Sequence, residues 1–376
     1  MASNFPLASS QDFASWVKIS KSNVEGGMEK LFSIPRFSSL DGPLKEAASL
    51  FDRQAFEALM GGKRLRAILE MACCLCAGKE GGVEAACAIE IFQAAALVHD
   101  DIVDKSEVRR GRPSSRKAFF SSLSSSTFNF ESADAMAIML GDFLASASVE
   151  ALLESKMGAN GPAAIRAFCR MQMQVEKGQI LDINSPSVRL EDPKGLQSAI
   201  ESIYLYKTAS YTAIAPICLG FLEAGRDEKR AEKWGEKIGS PLGVAFQIFD
   251  DLLDLKGGSK PKGGDIREKK RTFLLADSLS LLSLKDRTYL IRLYEKEDLT
   301  GREDEVIDMF ESCGAVKKSH ERIKKLCSKA FLALDECCRD LSLGKREEEF
   351  LKNALSLFIP KEDLPTQEGR AVSLPR

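Results

Sequence analysis

The sequence predicts an all-α protein, a large single-domain helical bundle around a deep central cavity. Apolar residues recur at intervals of three and four, as at Phe168, Met171 and Val175, which is the spacing of one helix face. Alternation of apolar and polar residues between hairpin turns is nearly absent, so few strands are expected. Segments 85–98 and 203–221 are apolar on nearly every face, which indicates helices buried at the centre of the bundle.

Three regions are expected along the 376 residues. Residues 1–40 form an N-terminal segment that is partly helical or frayed, residues 41–360 form the helical domain, and residues 361–376 form a polar tail. Within the domain, glycine and proline turns separate the helices. The glycine-rich loop at 257–264 carries Lys260, and it is interpreted either as a lid over bound phosphates or as an exposed charged loop.

Bulk composition argues against several classes of protein. With 53 basic and 55 acidic side chains, there is no overall electrostatic basis for binding nucleic acid or an anionic membrane. The chain has only two histidines, which makes a histidine-based zinc or iron site improbable. Ten irregularly placed cysteines are typical of reduced thiols in a cytoplasmic protein.

Neither a secretory signal nor a transmembrane segment is expected. The N-terminus lacks a basic start followed by a continuous apolar stretch, and the longest apolar stretches are short or interrupted. The first 22 residues are rich in serine and contain no arginine. They are interpreted as a frayed terminus, with an organelle transit peptide as the alternative.

Two aspartate clusters with identical internal spacing follow apolar, helix-like stretches. They are Asp100, Asp101, Asp104 and Asp250, Asp251, Asp254. On a helix, the first and fifth positions of each cluster lie on one face, one turn apart, while the second points partly sideways. Carboxylates that face one another across a cavity repel strongly unless divalent cations lie between them. Oxygen ligands on rigid helices suit Mg²⁺, which shares its remaining sites with phosphates, so the implied ligand is a polyphosphate.

Basic residues that fit a diphosphate lie near both ends of this pattern. Lys63 and Arg66 follow a pair of glycines, and they would share one face if a helix begins at that turn. Arg109 and Arg110 come shortly after the first acidic cluster. Each pair alone is also compatible with an ordinary solvated surface.

A third group combines a cation with two dipoles. Lys207 and Thr208 are adjacent, and Gln247 lies three residues before the second cluster. Pointed at an apolar cavity, these groups would stabilise a developing positive charge. For Lys207 alone, a surface lysine that covers apolar area with its stem is equally compatible.

Together these motifs make the chain resemble the trans-isoprenyl (polyprenyl) diphosphate synthases. The resemblance runs from about Gly61 to Thr272, and its marks are GGKRLR at 61–66, FQAAALVHDDIVD at 92–104, RRGRP at 109–113, GD at 141–142, GQILD at 178–182, YLYKT at 204–208, FQIFDDLLD at 246–254 and GGDIREKKRT at 263–272. It implies an isoprenoid synthase fold, usually a homodimer, and Mg²⁺-dependent head-to-tail condensation of isopentenyl diphosphate with an allylic diphosphate. Three Mg²⁺ ions per loaded site are expected.

The resemblance also implies residue roles. The metal site would comprise both aspartate clusters, with Asp100, Asp104 and Asp250 as ligands, Asp101 and Asp254 in support, and Asp251 completing the second cluster. The allylic diphosphate would be bound by Arg109, Lys207 and Lys270, close to Gln179 and Asp182. Isopentenyl diphosphate would be bound by Lys63, Arg66, Gln93 and Arg110. The family often has proline where Ala67 stands and glycine where Ser259 stands.

Product length depends on how deep the cavity is. Ala95 and Ala96 precede Asp100 by one turn and are too small to block a prenyl tail, while Phe92 lies one turn deeper. If its ring faces the cavity, Phe92 forms the floor, and the product is geranylgeranyl diphosphate or somewhat longer; alternatively, Phe92 packs against a neighbouring helix. The alternative functions are a class I terpene cyclase and a noncatalytic subunit of a heteromeric synthase.

Overall fold

The computed structural model describes residues 10–32, 41–123, 128–257, 262–296 and 298–365. Within these ranges the protein is all-α, as predicted, and the only strands pair in a two-stranded hairpin. The helices are α1 Ser10–Phe32, α2 Pro43–Leu59, α3 Leu65–Cys76, α4 Glu84–Val103, α5 Ser115–Leu123, α6 Phe130–Leu153, α7 Gly161–Asn184, α8 Pro193–Ile203, the π-helix Tyr204–Ile214, α9 Ala215–Glu223, α10 Glu228–Lys256, α11 Gly264–Arg267, α12 Phe273–Leu281, α13 Leu284–Lys296, α14 Glu303–Ser312, α15 Ala315–Asp340 and α16 Lys345–Ser356. Short 3₁₀ turns occur at Gly158–Asn160, Ser185–Ser187 and Lys361–Asp363.

Helix α4 is the central element of the bundle. It packs against α3 and along α6, and most of its residues are buried on every side. This is the arrangement that its uniformly apolar sequence predicts. Since the first acidic cluster lies at the C-terminal end of α4, burial of the helix fixes the position of that cluster.

A second packed layer carries the other acidic cluster. Helix α10 packs against the π-helix and α15. Its glycines allow close approach, because a Cβ on Gly243 would lie 2.4 Å from Ala209 Cα. The second cluster therefore sits next to the π-helix that carries Lys207 and Thr208.

The π-helix has an identifiable cause in the sequence. Pro216 follows it and has no N–H to donate to the carbonyl of Thr212, and its ring crowds the preceding turn. A wider i to i+5 hydrogen-bond pattern accommodates that mismatch, and π-helical turns are frequent at functional sites.

Both ends of the described chain pack into the core. Helix α1 is regular, and Phe13, Val24 and Met28 on it are buried. At the other end, Ile359 and Asp363 are also buried. The rest of the predicted tail, residues 366–376, and the loop residues Ser259 and Lys260 lie outside the described residues.

One described helix is long and apolar enough to cross a membrane by length and composition alone. It is α6, in which 44% of the apolar window is buried inside the protein. In the structure α6 packs along α4 and α5, and some of its apolar side chains remain exposed.

Candidate active site

The first acidic cluster ends helix α4, and its three carboxylates have different surroundings. Asp101 is 3% exposed and accepts a hydrogen bond from Arg109 Nε at 2.8 Å. Asp100 is partly exposed, and its Oδ2 lies 3.3 Å from Arg109 Nη2. Asp104 is partly exposed as well. The helical spacing thus separates a buried second carboxylate from two that remain accessible.

A tight hairpin directs Arg109 back onto this cluster. The strands Val108–Arg109 and Arg112–Pro113 pair in antiparallel register. Between them, Arg110 and Gly111 have φ values of 52° and 74°, the left-handed conformations that a type I′ turn requires. Helix α4 has ended by this point, so the arginine pair lies on the hairpin rather than on a continuing helix.

The second cluster ends helix α10. Asp250 is exposed, Asp251 is 3% exposed, and Asp254 is partly buried. Asp254 accepts hydrogen bonds from the backbone N–H groups of Gly264 at 3.0 Å and Asp265 at 3.1 Å. These bonds tie the loop after α10 to the acidic helix end.

Asp251 belongs to a buried hydrogen-bond network instead of facing the cleft. Its Oδ2 accepts a hydrogen bond from the Tyr204 hydroxyl, and its Oδ1 accepts one from Gln247 Nε2 at 2.9 Å. The Thr208 hydroxyl donates to Gln247 Oε1 at 2.6 Å. Each oxygen of Asp251 thus accepts one hydrogen bond from the protein.

Asp100 and Asp104 of the first cluster and Asp254 of the second line one cleft, whereas the exposed Asp250 is not part of its lining. The lining includes Asp100, Asp104, Asp254, Asp265, Glu268, Arg109 and Lys270. Clusters about 150 residues apart in the sequence are therefore brought to opposite sides of a single space.

Lys207 bridges the first cluster and helix α7. Its Nζ lies 2.6 Å from Asp182 Oδ2 and 3.2 Å from Asp100 Oδ1. Burial alone would lower the pKa of Lys207, but the charges of Asp100 and Asp182 raise it. Lys207 is therefore a fixed cation at the cleft, and the reading of it as a surface lysine does not hold.

Lys270 occupies the corresponding place beside the second cluster. Its Nζ lies 3.4 Å from Asp104 Oδ2, 3.4 Å from Asp265 Oδ1 and 2.8 Å from Glu268 Oε2. Burial opposes its charge, but these carboxylates raise its pKa well above the ordinary value. The loop that carries Lys270 thus connects both walls of the cleft.

The pKa values of the accessible carboxylates shift in different directions. Burial raises the pKa of Asp100, but Lys207 and Lys270 outweigh it and lower that pKa to about 2. Burial, and then the charge of Asp100, raise the pKa of Asp104. Burial, followed by Asp265, raises the pKa of Asp254. Added positive charge would stabilise Asp104 and Asp254 in their ionised forms.

This donor set fits Mg²⁺ that shares its ligands with a diphosphate. All the accessible donors are carboxylate oxygens, which hard divalent cations prefer. No three acidic, histidine or cysteine side chains in the described part of the chain converge closely enough to hold a metal alone. Mg²⁺ usually takes only one or two carboxylates and completes its shell with water and substrate phosphates.

The GGKRLR segment differs from its prediction in one respect. Helix α3 begins at Leu65, after Arg64 in a left-handed conformation with φ 55°. Lys63 therefore lies outside the helix and is exposed, while Arg66 is 7% exposed. The two predicted diphosphate ligands do not share a helix face.

Arg66 is held by polar and aromatic neighbours. Its Nη2 donates to Thr212 Oγ1 at 2.8 Å, and its guanidinium lies 4.2 Å from the Tyr211 ring centre. Gln93, with its amide oriented to satisfy both neighbours, accepts from Arg66 at 2.9 Å and donates to Glu90 at 3.3 Å. The structure thus brings together Arg66 and Gln93, two of the four residues predicted to bind isopentenyl diphosphate.

Arg110, the remaining predicted isopentenyl ligand, is attached to the glycine turn. Its Nη1 donates to the carbonyl oxygens of Met60 at 3.0 Å and Gly61 at 3.1 Å. The hairpin and the loop before α3 are therefore joined through this side chain.

An apolar cavity leads away from Asp100 and Lys207. Helices α4 and α7 and the π-helix line it through Ala96, Leu97, His99, Asp100, Val175, Glu176, Gln179, Lys207 and Tyr211. Ala96 borders this space, whereas Ala95 is buried elsewhere in the core. Phe92 is 2% exposed and packs edge-on against Phe168 and Tyr211, so its ring lies behind the cavity wall.

Sequence reasoning missed four residues of this region. Arg64 is buried and pairs with Glu90 at 3.3 Å, but nothing in the sequence distinguished it from Lys63. Tyr204 and Asp265 lie within the family motifs, but no role was predicted for either residue because their contacts depend on tertiary packing. Tyr211 follows Lys207 by four residues, a spacing that would have placed it one turn along the same wall.

An all-α bundle in which two acidic clusters meet at one cleft, with Asp100 also bordering an apolar cavity, defines a class of enzyme that handles diphosphates with apolar tails. The model of the polyprenyl synthetase family matches residues 50–311. The chain belongs to the polyprenyl synthetase family and is a prenyltransferase.

Individual relatives agree with this assignment. The chain is 30% identical to geranylgeranyl pyrophosphate synthase 11, chloroplastic, of Arabidopsis thaliana, over 65% of this chain and 68% of that protein. It is 32% identical to the short chain isoprenyl diphosphate synthase of Methanothermobacter thermautotrophicus, over 69% of this chain and 76% of the relative. A crystal structure of geranylgeranyl pyrophosphate synthase from Corynebacterium glutamicum, complexed with isoprenyl diphosphate and magnesium, superposes with a TM-score of 0.75 at 25% identity, covering 93% of this chain and 99% of that one.

Proposed function

We propose that the protein is a trans-prenyl diphosphate synthase that joins isopentenyl diphosphate head-to-tail to an allylic diphosphate. The observation that carries this proposal is the position of Asp100, which borders both the acidic cleft and the apolar cavity. A substrate with a diphosphate head and a prenyl tail fits both spaces at once. The geranylgeranyl and short chain synthases among the relatives support geranylgeranyl diphosphate, or a somewhat longer chain, as the product.

The first step breaks the allylic carbon–oxygen bond. Both electrons remain on the diphosphate oxygen, so negative charge grows there and a carbocation forms on the prenyl chain. Arg109, Lys207 and Lys270 supply preorganised positive charge to the leaving diphosphate. Asp100, Asp104 and a carboxylate of the second cluster would hold Mg²⁺, which would supply further positive charge for the leaving diphosphate.

Oriented dipoles stabilise the carbocation. The Thr208 hydroxyl, next to Lys207 on the π-helix, donates to Gln247 Oε1 at 2.6 Å. Gln247 Nε2 donates to Asp251, which in turn accepts a hydrogen bond from the Tyr204 hydroxyl. These residues therefore position negative ends of dipoles without placing a full charge next to the cation.

Isopentenyl diphosphate completes the reaction from the side of Arg66 and Gln93. Its double bond attacks the carbocation and forms the new carbon–carbon bond. The resulting cation loses a proton to the departing pyrophosphate, which restores an allylic double bond. Since pyrophosphate accepts the proton, no protein general base is needed.

Two further properties belong to this proposal: the number of Mg²⁺ ions and the location of the enzyme in the cell. Three Mg²⁺ ions bind per substrate-loaded site, which calorimetric titration of Mg²⁺ with an unreactive allylic analogue would count. The enzyme is cytoplasmic, which the ten free cysteines support; imaging of the tagged full-length chain tests this, and accumulation in an organelle would contradict it.

The protein also forms a homodimer through α6 and α7. Large apolar side chains on these adjacent helices are exposed: Ile138, Met139 and Leu153 on α6, and Met173, Ile180, Leu181 and Ile183 on α7. Exposed apolar surface of this extent marks an interaction site, and a second copy of the chain presents the same surface.

The proposed activity is tested by product analysis. Purified protein is incubated with Mg²⁺, labelled isopentenyl diphosphate and each allylic primer in turn, and the dephosphorylated products are sized. Extension of at least one primer is expected. If no primer is extended, the proposed function is wrong. Asp100→Ala is the matched control, which should lose turnover by roughly 100-fold or more with an unchanged circular dichroism spectrum.

The alternatives predict different products. A class I terpene cyclase would release a hydrocarbon or alcohol from an allylic diphosphate alone, without consuming isopentenyl diphosphate. A noncatalytic subunit would extend no primer until a partner was added. The intact aspartates of both clusters and the paired Arg66 and Gln93 favour the synthase.

A further inference from the structure

We propose that Tyr211 is the residue that limits the length of the prenyl chain. This inference rests on the proposed function and concerns the depth of the apolar cavity. It assigns to the π-helix a role that sequence reasoning gave to Phe92 on α4.

The cavity is built in layers. At its mouth lie Asp100 on α4, Gln179 on α7 and Lys207 on the π-helix. One turn deeper, four positions along each helix, the lining residues are Ala96, Val175 and Tyr211. Each wall thus contributes one residue to each layer.

Of the three described side chains in the deeper layer, Tyr211 is the largest, and Leu97 lines the cavity between the two layers. Ala96 and Val175 leave room for a prenyl tail, whereas the Tyr211 ring spans several ångströms. The next layer inward, with Phe92 at 2% exposure and Met171 at 2%, belongs to the closed core. A growing tail therefore meets Tyr211 before it reaches Phe92.

The Tyr211 ring is fixed in place from two sides. The Arg66 guanidinium lies 4.2 Å from its centre, a cation–π contact that holds the ring face. Phe92 packs against it with ring centres 6.3 Å apart and planes at 82°, an edge-to-face contact. Phe92 in turn packs on Phe168 at 6.2 Å. Because Arg66 and Phe92 both pack on the ring, it acts as a barrier.

Substitution of Tyr211 tests the barrier through product length. With one fixed allylic primer, the main product of Tyr211→Ala should be longer than that of the wild type by at least one isoprene unit. Tyr211→Phe keeps the ring and should give the wild-type product. Phe92→Ala, which leaves Tyr211 in place, should lengthen the product less than Tyr211→Ala does.

If Tyr211→Ala turns over poorly, binding measurements test whether Tyr211 limits the length of the bound prenyl chain. Allylic diphosphates of increasing chain length are titrated calorimetrically into wild type and variant with Mg²⁺ present. The chain length at which affinity falls should increase in the variant. An unchanged cut-off, or products of wild-type length from an active Tyr211→Ala enzyme, overturns the proposal for Tyr211. Failure of the wild type to extend any primer would instead refute the proposed function.

Discussion

At the scale of single residues, two aspartate clusters with the same spacing place their members in different environments. The second member of each, Asp101 and Asp251, is 3% exposed. Asp101 pairs with Arg109, whereas Asp251 holds Gln247 through a hydrogen bond. Helical geometry explains why the second position turns inward, but only packing decides which partner it finds.

Replacing Asp254 or Asp251 by asparagine should distinguish a carboxylate that binds metal from one that positions Gln247. Asp254→Asn removes a charge from the cleft, so the Mg²⁺ concentration for half-maximal activity should rise roughly 10- to 100-fold. Asp251→Asn disturbs the Tyr204 and Gln247 contacts, so kcat should fall while the Mg²⁺ requirement stays constant. Steady-state rates across a Mg²⁺ titration measure both. An equal rise in Mg²⁺ requirement for the two variants would identify Asp251 as a ligand.

A buried carboxyl group outside the site should make stability depend on pH. Glu70 on α3 is fully buried, and burial followed by the charge of Glu223 raises its pKa well above 4.5. A carboxyl group whose pKa is raised in the folded state contributes its full stability below the ordinary pKa. This contribution is lost as the pH rises from the ordinary pKa toward the raised pKa. Over that window the free energy of unfolding should fall by about 1.4 kcal/mol per pH unit from this group.

Glu70→Gln should remove that slope. Urea unfolding from pH 5 to pH 8 compares the variant with the wild type, and with Glu46→Gln, which changes an exposed carboxylate on α2. The difference in unfolding free energy between Glu70→Gln and wild type should grow with pH. A constant difference would mean that Glu70 does not titrate abnormally.

At the scale of elements, the contact between α7 and the π-helix sets the position of Lys207. Gly178 lies against the backbone there, and a Cβ at that position would be 2.2 Å from the Lys207 backbone nitrogen. Glycine is therefore required by close approach of two main chains, not by a positive φ angle.

Gly178→Ala should push the two elements apart. We expect a loss of about 1–3 kcal/mol in the free energy of unfolding and a lower kcat, because Lys207 is displaced. Gly26→Ala is the matched control: it lies in α1 with nothing within 4 Å of the added Cβ, and it should stabilise the protein by about 0.5–1 kcal/mol. Denaturation curves and steady-state rates test both. Normal stability and activity in Gly178→Ala would show that the contact can relax.

At the scale of the whole molecule, exposed apolar side chains on α6 and α7 bear on assembly. Met139 is 56% exposed and Met173 is 57% exposed. These side chains would be covered by a second copy in the proposed homodimer. The same pairing would bury part of α6, the helix whose composition is apolar enough for a membrane.

A charge at this surface should weaken the dimer. Met139→Lys should shift the protein toward monomer at micromolar concentration in sedimentation or light-scattering measurements, because an interface core excludes unpaired charge. Leu284→Lys is the control, since Leu284 is 78% exposed on α13, away from this surface. If Met139→Lys and Leu284→Lys assemble identically, α6 does not form the interface.

The sequence by itself determined the fold class, the chemistry of the cleft and the family resemblance. Helical periodicity requires only neighbours along the chain, so it predicted a bundle with a buried α4 and an acidic end. The spacing of Asp100 and Asp104 likewise follows from helix geometry, and the type of cation follows from their oxygen ligands.

Only the tertiary structure decided which of these residues meet. It separated Lys63 from Arg66 by the start of α3, turned Asp251 toward Tyr204, and put Tyr211 in front of Phe92. These outcomes depend on contacts between distant segments, where packing and hydrogen bonding select one rotation of each helix. Local spacing fixes the face on which a side chain lies, but the neighbour across that face is set by the whole fold.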